Sequence, residues 1–222
     1  MPLIVKICGL STPETLDAAL DAGADMVGFV FFPPSPRHLR FDVARALGQR
    51  VRGRAQKVAL TVDADPAFLQ SIVEALGPDI LQLHGAESVA QITAIRRKFG
   101  LQVMKAVPIA VKEDLARIGT YATVADRLLF DARAPRDATR PGGLGNTFDW
   151  HLLKNVRSGM PFMLSGGLDA TNIVDALRIT RATGIDVSSG VERAPGVKDV
   201  DKIIAFVGAA RRAAAQDVYP AA

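Results

Sequence analysis

At 222 residues, 49% of them hydrophobic and 23% charged, the chain has the length and composition of one globular domain with a substantial apolar core. No apolar run reaches the roughly 18 residues of a membrane span, and a lone cysteine without a Cys/His cluster at metal-ligand spacing excludes an internal disulfide and speaks against structural zinc. The net charge of +4 is scattered among Asp and Glu, and only 6% of residues are aromatic, so no nucleic-acid partner is expected and the positive potential suits an anionic small molecule.

In chain order, Met1 leads straight into the apolar stretch Leu3 to Ile7, with no basic n-region, long apolar core or cleavage site, so a cytoplasmic location is expected. Apolar runs predict strands near 3–8, 26–31, 57–62, 80–84, 102–107, 127–131, 161–165 and 185–188, with a helical stretch after each. Thr12-Pro13 and Asp65-Pro66 each put a capping side chain before a proline, which is tolerated in a first helical turn. Apolar spacings of three and four, as in Leu69, Ile72, Val73 and Leu76 or Val200, Ile203, Ile204 and Val207, give helix faces that cover a sheet. Gly23-Ala24-Asp25, Gly77-Pro78-Asp79 and Gly184-Ile185-Asp186 read as repeated joints in which a left-handed glycine closes a helix before the next strand.

Eight alternating units imply a parallel sheet with helical crossovers, hence an α/β fold with a single (β/α)8 TIM barrel over 1–222; an open doubly wound sheet is the alternative. The tail, 212–222, reads equally as a frayed helix end or a contact surface. Monomer and homodimer both fit.

In such barrels the chemistry sits at the C-terminal strand ends, where the polar residues are Cys8, Asp63, His84, Asp131 and Ser188. If Val5 and Ile7 face the helices, alternation turns Lys6 and Cys8 inward, and Gln82 and His84 share one face. An inward Lys6 favours the Cys8 thiolate and lowers its pKa from about 8.5 toward a range useful for a general base, while Asp186 on strand eight can pair with Lys6 and partly cancel the effect. Most free cysteines are small buried hydrophobes; the strand-end position before Gly9 shifts Cys8 toward function. Asp131 is a local turn-former or, at a barrel mouth, a proton donor.

Ser165-Gly166-Gly167-Leu168 and Ser188-Ser189-Gly190-Val191 follow the last two strands and lead into helices, so their N–H groups can converge on one phosphate. Phe32 to His38 is a stiff loop whose Arg37 suits a carboxylate. Ala132 to Thr147, containing Gly142, Gly143 and Gly145, is too polar and glycine-rich for an element and lies beside Asp131, as a lid would.

These motifs, Lys6-Ile7-Cys8-Gly9-Leu10, Ser35-Pro36-Arg37, Gln82-Leu83-His84-Gly85, Phe130-Asp131, Gly142-Gly143-Leu144-Gly145 with Phe148-Asp149-Trp150, Ser165-Gly166-Gly167-Leu168 and Asp186 through Glu192, resemble in content and order the phosphoribosylanthranilate isomerase family. The resemblance spans nearly the whole chain up to about Arg211. It implies a cofactor-free, metal-free Amadori rearrangement of phosphoribosylanthranilate in tryptophan biosynthesis, with Asp131 as acid and Cys8 as base. It further implies that Arg37 holds the anthranilate carboxylate, that the two glycine loops hold the phosphate, and that His84 shapes the site. Leu144 departs from the polar residue of many relatives, which bears on loop packing or substrate grip. His38 and His151 are rival bases, but His151 falls on a predicted surface helix and His38 neighbours the binding arginine. The related aminoaldose isomerase of histidine biosynthesis uses aspartates for both roles, so Cys8 speaks against it. A non-catalytic sugar-phosphate-binding barrel would leave Cys8, Asp131 and Arg37 together unexplained.

Overall fold

The computed structural model describes residues 2–135, 137–156 and 159–215. Eight parallel strands close into a barrel in sequential order: β1 (Ile4–Cys8), β2 (Met26–Phe31), β3 (Gln56–Thr61), β4 (Ile80–Leu83), β5 (Gln102–Ile109), β6 (Arg127–Ala132), β7 (Phe162–Leu164) and β8 (Gly184–Val187). The ring is completed where β1 pairs with β8, with Lys6 opposite Asp186. The fold is thus the (β/α)8 barrel, and each strand lies within a residue or two of its predicted position. Around it pack α1 (Pro13–Asp21), α2 (Phe41–Val51), α3 (Pro66–Leu76), α4 (Val89–Phe99), α5 (Ala116–Ala122), α6 (Ile173–Thr180) and α7 (Val200–Ala215).

Alternation sorts the strand side chains into two cores. Val5, Ile7, Val27, Phe29, Leu128, Phe130, Ile185 and Val187 belong to the apolar layer between sheet and helices, whereas Met26, Val58, Ile80, Met104, Leu129 and Met163 plug the barrel interior. Both expected caps form: the Thr12 hydroxyl accepts from the Thr15 N–H, and the Asp65 carboxylate accepts from the N–H groups of Ala67 and Phe68. Among the predicted helix faces, Ile204 is the exception, half exposed on the outer side of α7.

The joints are less uniform than the repeat suggests. Gly23 and Gly77 take left-handed φ values of 89° and 58°, and Asp25 and Asp79 accept the N–H of Val5 and Lys57 at the foot of the preceding strand. The third unit differs: Arg181, φ 55°, closes α6, and Gly184 is the first residue of β8, where a Cβ would crowd Met163 and the Ile4 carbonyl. Its Asp186 points into the barrel instead of capping a strand.

Two crossovers also differ from strict alternation. After β6 the chain runs through a long loop to a single 3-10 turn, Trp150–Leu153, with no α-helix among the described residues before β7. After β8 it makes a 3-10 turn, Ser189–Val191, and then an antiparallel hairpin of β9 (Glu192–Ala194) and β10 (Val197–Lys198) before α7 begins. Helix α7 continues through Ala215 with Ala213 buried, so it covers the first residues of the tail; 216–222 lie outside the described residues. No helix among the described residues is long and apolar enough to cross a membrane.

Candidate active site

The C-terminal mouth of the barrel opens into a cleft lined by Cys8, Arg37, His84, Asp131, Gly142, Gly143, Gly145, Ser165, Gly166, Gly167, Ser188 and Ser189. Of the predicted site residues, all but Gly190 and Asp63 are therefore brought together there. Gly190 lies just outside, pressed so closely on the Leu168 carbonyl that a Cβ would not fit; it sets how near the two glycine loops approach each other. Asp63 is also outside: it takes a left-handed φ of 47°, and its carboxylate accepts the Ala86 N–H at 2.7 Å, bracing the turn after β4.

Cys8 and Lys6 point inward from β1 because Gly28 on the neighbouring strand leaves them room; a Cβ there would stand 2.8 Å from the Cys8 sulfur and 3.2 Å from the Lys6 Cε. Lys6 is wholly buried and donates to Asp186 at 2.8 Å. Burial works against its charge, but Asp186 and Cys8 prevail and hold its pKa above the usual lysine value. For Cys8 the balance runs opposite to the sequence-based expectation. Burial pushes the thiol pKa up, Lys6 pulls it down by less, and Asp186 adds to the rise. The expected pairing of Lys6 with Asp186 is present, and it is one reason the thiol is not acidified.

Asp131, inward from β6, accepts from its neighbour's N–H at Ala132 (2.9 Å) and meets His84 Nε2 at 3.1 Å. On the other ring edge, the Gln82 amide nitrogen lies 3.0 Å from Nδ1. With that nitrogen donating, Nδ1 accepts and Nε2–H is the group that faces Asp131. The turn bearing His84 is fixed from below by buried Lys105, which donates to the carbonyls of Leu83 and Gly85 and to Glu87 at 2.9 Å. Nothing in the local sequence signals that brace.

Arg37 is buried and forms a bidentate pair with Glu192, both bonds 2.7 Å, and donates from the same Nη2 to the Gly143 carbonyl at 3.1 Å. Glu192 also receives Lys198 at 2.8 Å, and Lys198 in turn binds the Ser188 carbonyl and hydroxyl. Burial raises the Glu192 pKa, but Arg37 and Lys198 more than offset it and hold the carboxyl below its usual range. Lys198 is lowered to about 8, chiefly by burial, with Glu192 opposing. The β9–β10 hairpin that supplies both groups had no sequence signature, although Glu192 closes the motif quoted above.

The loop after β6 crosses the cleft. Gly142 sits against Asp131 and His84, Gly143 against Arg37, and the carbonyls of Gly145 and Asn146 against Gly167. In the β7 loop, Gly166 and Gly167 have φ of 90° and 62°, conformations that glycine adopts freely, and their N–H groups meet no protein acceptor among the described residues. Of the rival bases, His151 is exposed and bonded to Asp149, and His38 lies outside the cleft with its pKa lowered by burial.

Asp131 and Cys8 flanking two adjacent glycine loops at the C-terminal mouth place the protein among (β/α)8 barrels with a polar, glycine-walled small-molecule cleft. Comparison with known proteins narrows this class. The family model described as N-(5'-phosphoribosyl)anthranilate (PRA) isomerase matches residues 5–209. A relative of that name from Bradyrhizobium sp. (strain ORS 278) is 67% identical over 213 residues, covering 96% of this chain and 97% of the relative. The crystal structure of phosphoribosyl anthranilate isomerase from Thermotoga maritima superposes with a TM-score of 0.86 at 33% identity, covering 95% of this chain and 99% of that one. A further structure of the enzyme, in complex with reduced 1-(o-carboxyphenylamino)-1-deoxyribulose 5-phosphate, gives 0.83 at 31% identity, again covering 95% and 99%. The chain belongs to the N-(5'-phosphoribosyl)anthranilate isomerase family.

Proposed function

We propose that the protein isomerises N-(5'-phosphoribosyl)anthranilate to 1-(2-carboxyphenylamino)-1-deoxyribulose 5-phosphate, a step of tryptophan biosynthesis, by general acid–base catalysis. The observation that carries this reading is the placement of acid and base. In the closed strand order β7 and β8 lie between β6 and β1, so a phosphate held by their loops sits between Asp131 and Cys8. The sugar attached to that phosphate then lies within reach of both.

Asp131 gives its proton to the furanose ring oxygen, the C1–O bond breaks, and the anthranilate nitrogen lone pair forms the protonated imine. Cys8, as thiolate, takes the C2 proton, and the electron pair moves toward nitrogen to leave the enolamine. Gain of a proton at C1 and loss of the C2 hydroxyl proton yield the aminoketose and restore acid and base. Each assisted proton transfer contributes roughly 10²- to 10⁴-fold. A thiolate formed in a buried site beside Lys6 is a stronger base than one in water, which is the use of the raised Cys8 pKa.

The phosphate is held by the free N–H groups of Gly166 and Gly167 with Ser165, Ser188 and Ser189, and Gly190 keeps the second loop at its distance. Arg37 presents its remaining Nη1 edge toward the anthranilate carboxylate, and Gly142, Gly143 and Gly145 let the crossing loop approach. No cofactor or metal enters these steps. A monomer and a homodimer both accommodate this reading. A free thiol acting as base requires a reducing compartment, which favours the cytoplasm.

Turnover of freshly generated phosphoribosylanthranilate, followed by loss of its fluorescence, tests the assignment. Wild type is expected to be active in metal-chelating buffer, and Cys8→Ala and Asp131→Ala each to lose that activity. An inactive wild type that still bound the reduced product analogue would point to a sugar-phosphate-binding barrel instead.

A further inference from the structure

The β9–β10 hairpin takes no part in the proton transfers, yet it buries a lysine whose charge is felt at Cys8. Lys198 stands opposite Glu192 in the hairpin register and is buried, while its neighbour Val197 is exposed. An ammonium group has three N–H donors and no lone pair. Those of Lys198 meet the Glu192 carboxylate at 2.8 Å, the Ser188 carbonyl at 2.8 Å and the Ser188 hydroxyl at 3.1 Å. The last bond fixes a direction. Because Lys198 can only donate, the Ser188 oxygen accepts, and its own proton goes to the Cys8 carbonyl, 3.1 Å away.

That hydroxyl takes over where the sheet stops. Backbone pairing between β1 and β8 ends at Ile7 and Val187, one residue short of Cys8. The following residue, Gly9, turns off with a left-handed φ of 77°, and a Cβ on it would stand 3.2 Å from the Ser188 hydroxyl oxygen. On the β8 side, therefore, a side chain ties down the strand end that carries the thiol.

We propose that Lys198 is a positioning residue for the base: by holding the Ser188 hydroxyl as a donor to the Cys8 carbonyl, it fixes the strand end from which the Cys8 thiol reaches the substrate. This rests on the isomerase reading. With its proton committed to Cys8, the Ser188 hydroxyl has none to give a phosphate, so any contact of Ser188 with phosphate is left to its backbone.

The test measures the single-turnover rate of fluorescence loss and the inhibition constant of inorganic phosphate for Ser188→Ala and Lys198→Met, singly and combined. Each single substitution is expected to slow the chemical step on the order of 10-fold, as loss of one hydrogen bond that orients a reacting group does. Phosphate inhibition of Ser188→Ala is expected to stay within about twofold of wild type. The combined variant should be no slower than the slower single one, since both changes cut the same chain of bonds. Losses that multiply to about 100-fold overturn the proposal, because Lys198 would then act on Cys8 through its charge or through Glu192. A Ser188→Ala rate within about twofold of wild type overturns it as well, whether or not Lys198→Met folds, and so does a loss confined to phosphate binding. Lys198→Met leaves Glu192 paired with Arg37, so a folded variant is expected and a melting curve checks it. Failure of the isomerase reading shows separately, in wild-type turnover.

Discussion

Replacing Gly142 by alanine tests whether the crossing loop is fitted to the acid. The residue is half-buried, and its φ is not in the left-handed region, so the backbone accepts alanine and the effect is one of space. The new Cβ would stand 2.6 Å from Asp131 Oδ2 and 2.9 Å from His84 Nε2, whereas ordinary contact begins at 3.4 Å. The loop or the carboxylate must therefore move by about 0.8 Å, and a misplacement near 1 Å at a reacting group costs on the order of 10²-fold. His84 cannot yield easily, since Gln82 holds its other ring nitrogen at 3.0 Å. We expect kcat/KM for phosphoribosylanthranilate to fall about 10- to 100-fold, with kcat carrying most of the loss and the urea midpoint unchanged. Fluorescence-followed steady-state kinetics with a parallel unfolding curve measures both. A kcat/KM within about twofold of wild type would refute the reasoning, because it would mean the loop does not rest on the acid during catalysis.

The remaining predictions concern the buried charges. The Cys8 thiol should ionise above the 9.0 of an ordinary cysteine, read as thiolate absorbance in the ligand-free protein. Because this pKa is raised on folding, Cys8 stabilises the fold fully below pH 9.0, and that contribution is lost as pH climbs through the folded value. A thiolate titration at or below 9.0 would contradict the dominance of burial over Lys6. Glu192→Gln removes the counter-charge of two buried cations, Arg37 and Lys198, and should cost about 3–5 kcal/mol in urea unfolding at neutral pH. A loss under about 1 kcal/mol would mean that water reaches the two cations and takes over the role of Glu192.

What the sequence determines here is what depends on near neighbours. Alternation along Ile4–Cys8 turns Lys6 and Cys8 inward, the spacing in α3 sets its buried face, and Thr12-Pro13 and Asp65-Pro66 start helices, all from side-chain direction and backbone geometry within a few residues. The polar strand ends followed from the same logic, so most of the lining of the candidate cleft could be read in advance. The tertiary structure decided the rest. The Glu192 carboxylate that neutralises Arg37 lies 155 positions away, Asp186 reaches Lys6 across 180, and Gly28 makes room for Cys8 only because β1 and β2 pair in that register. The 3-10 turn that stands, among the described residues, where an α-helix was expected after β6, and the β9–β10 hairpin, likewise have no local periodicity to announce them. Burial shows the distinction most plainly: sequence places Lys6 two residues from Cys8 and suggests an acidic thiol, but the closed barrel removes the water that would have solvated the thiolate. Charge balance in a buried site is set by every group that ring closure brings near it, and no stretch of sequence contains that sum.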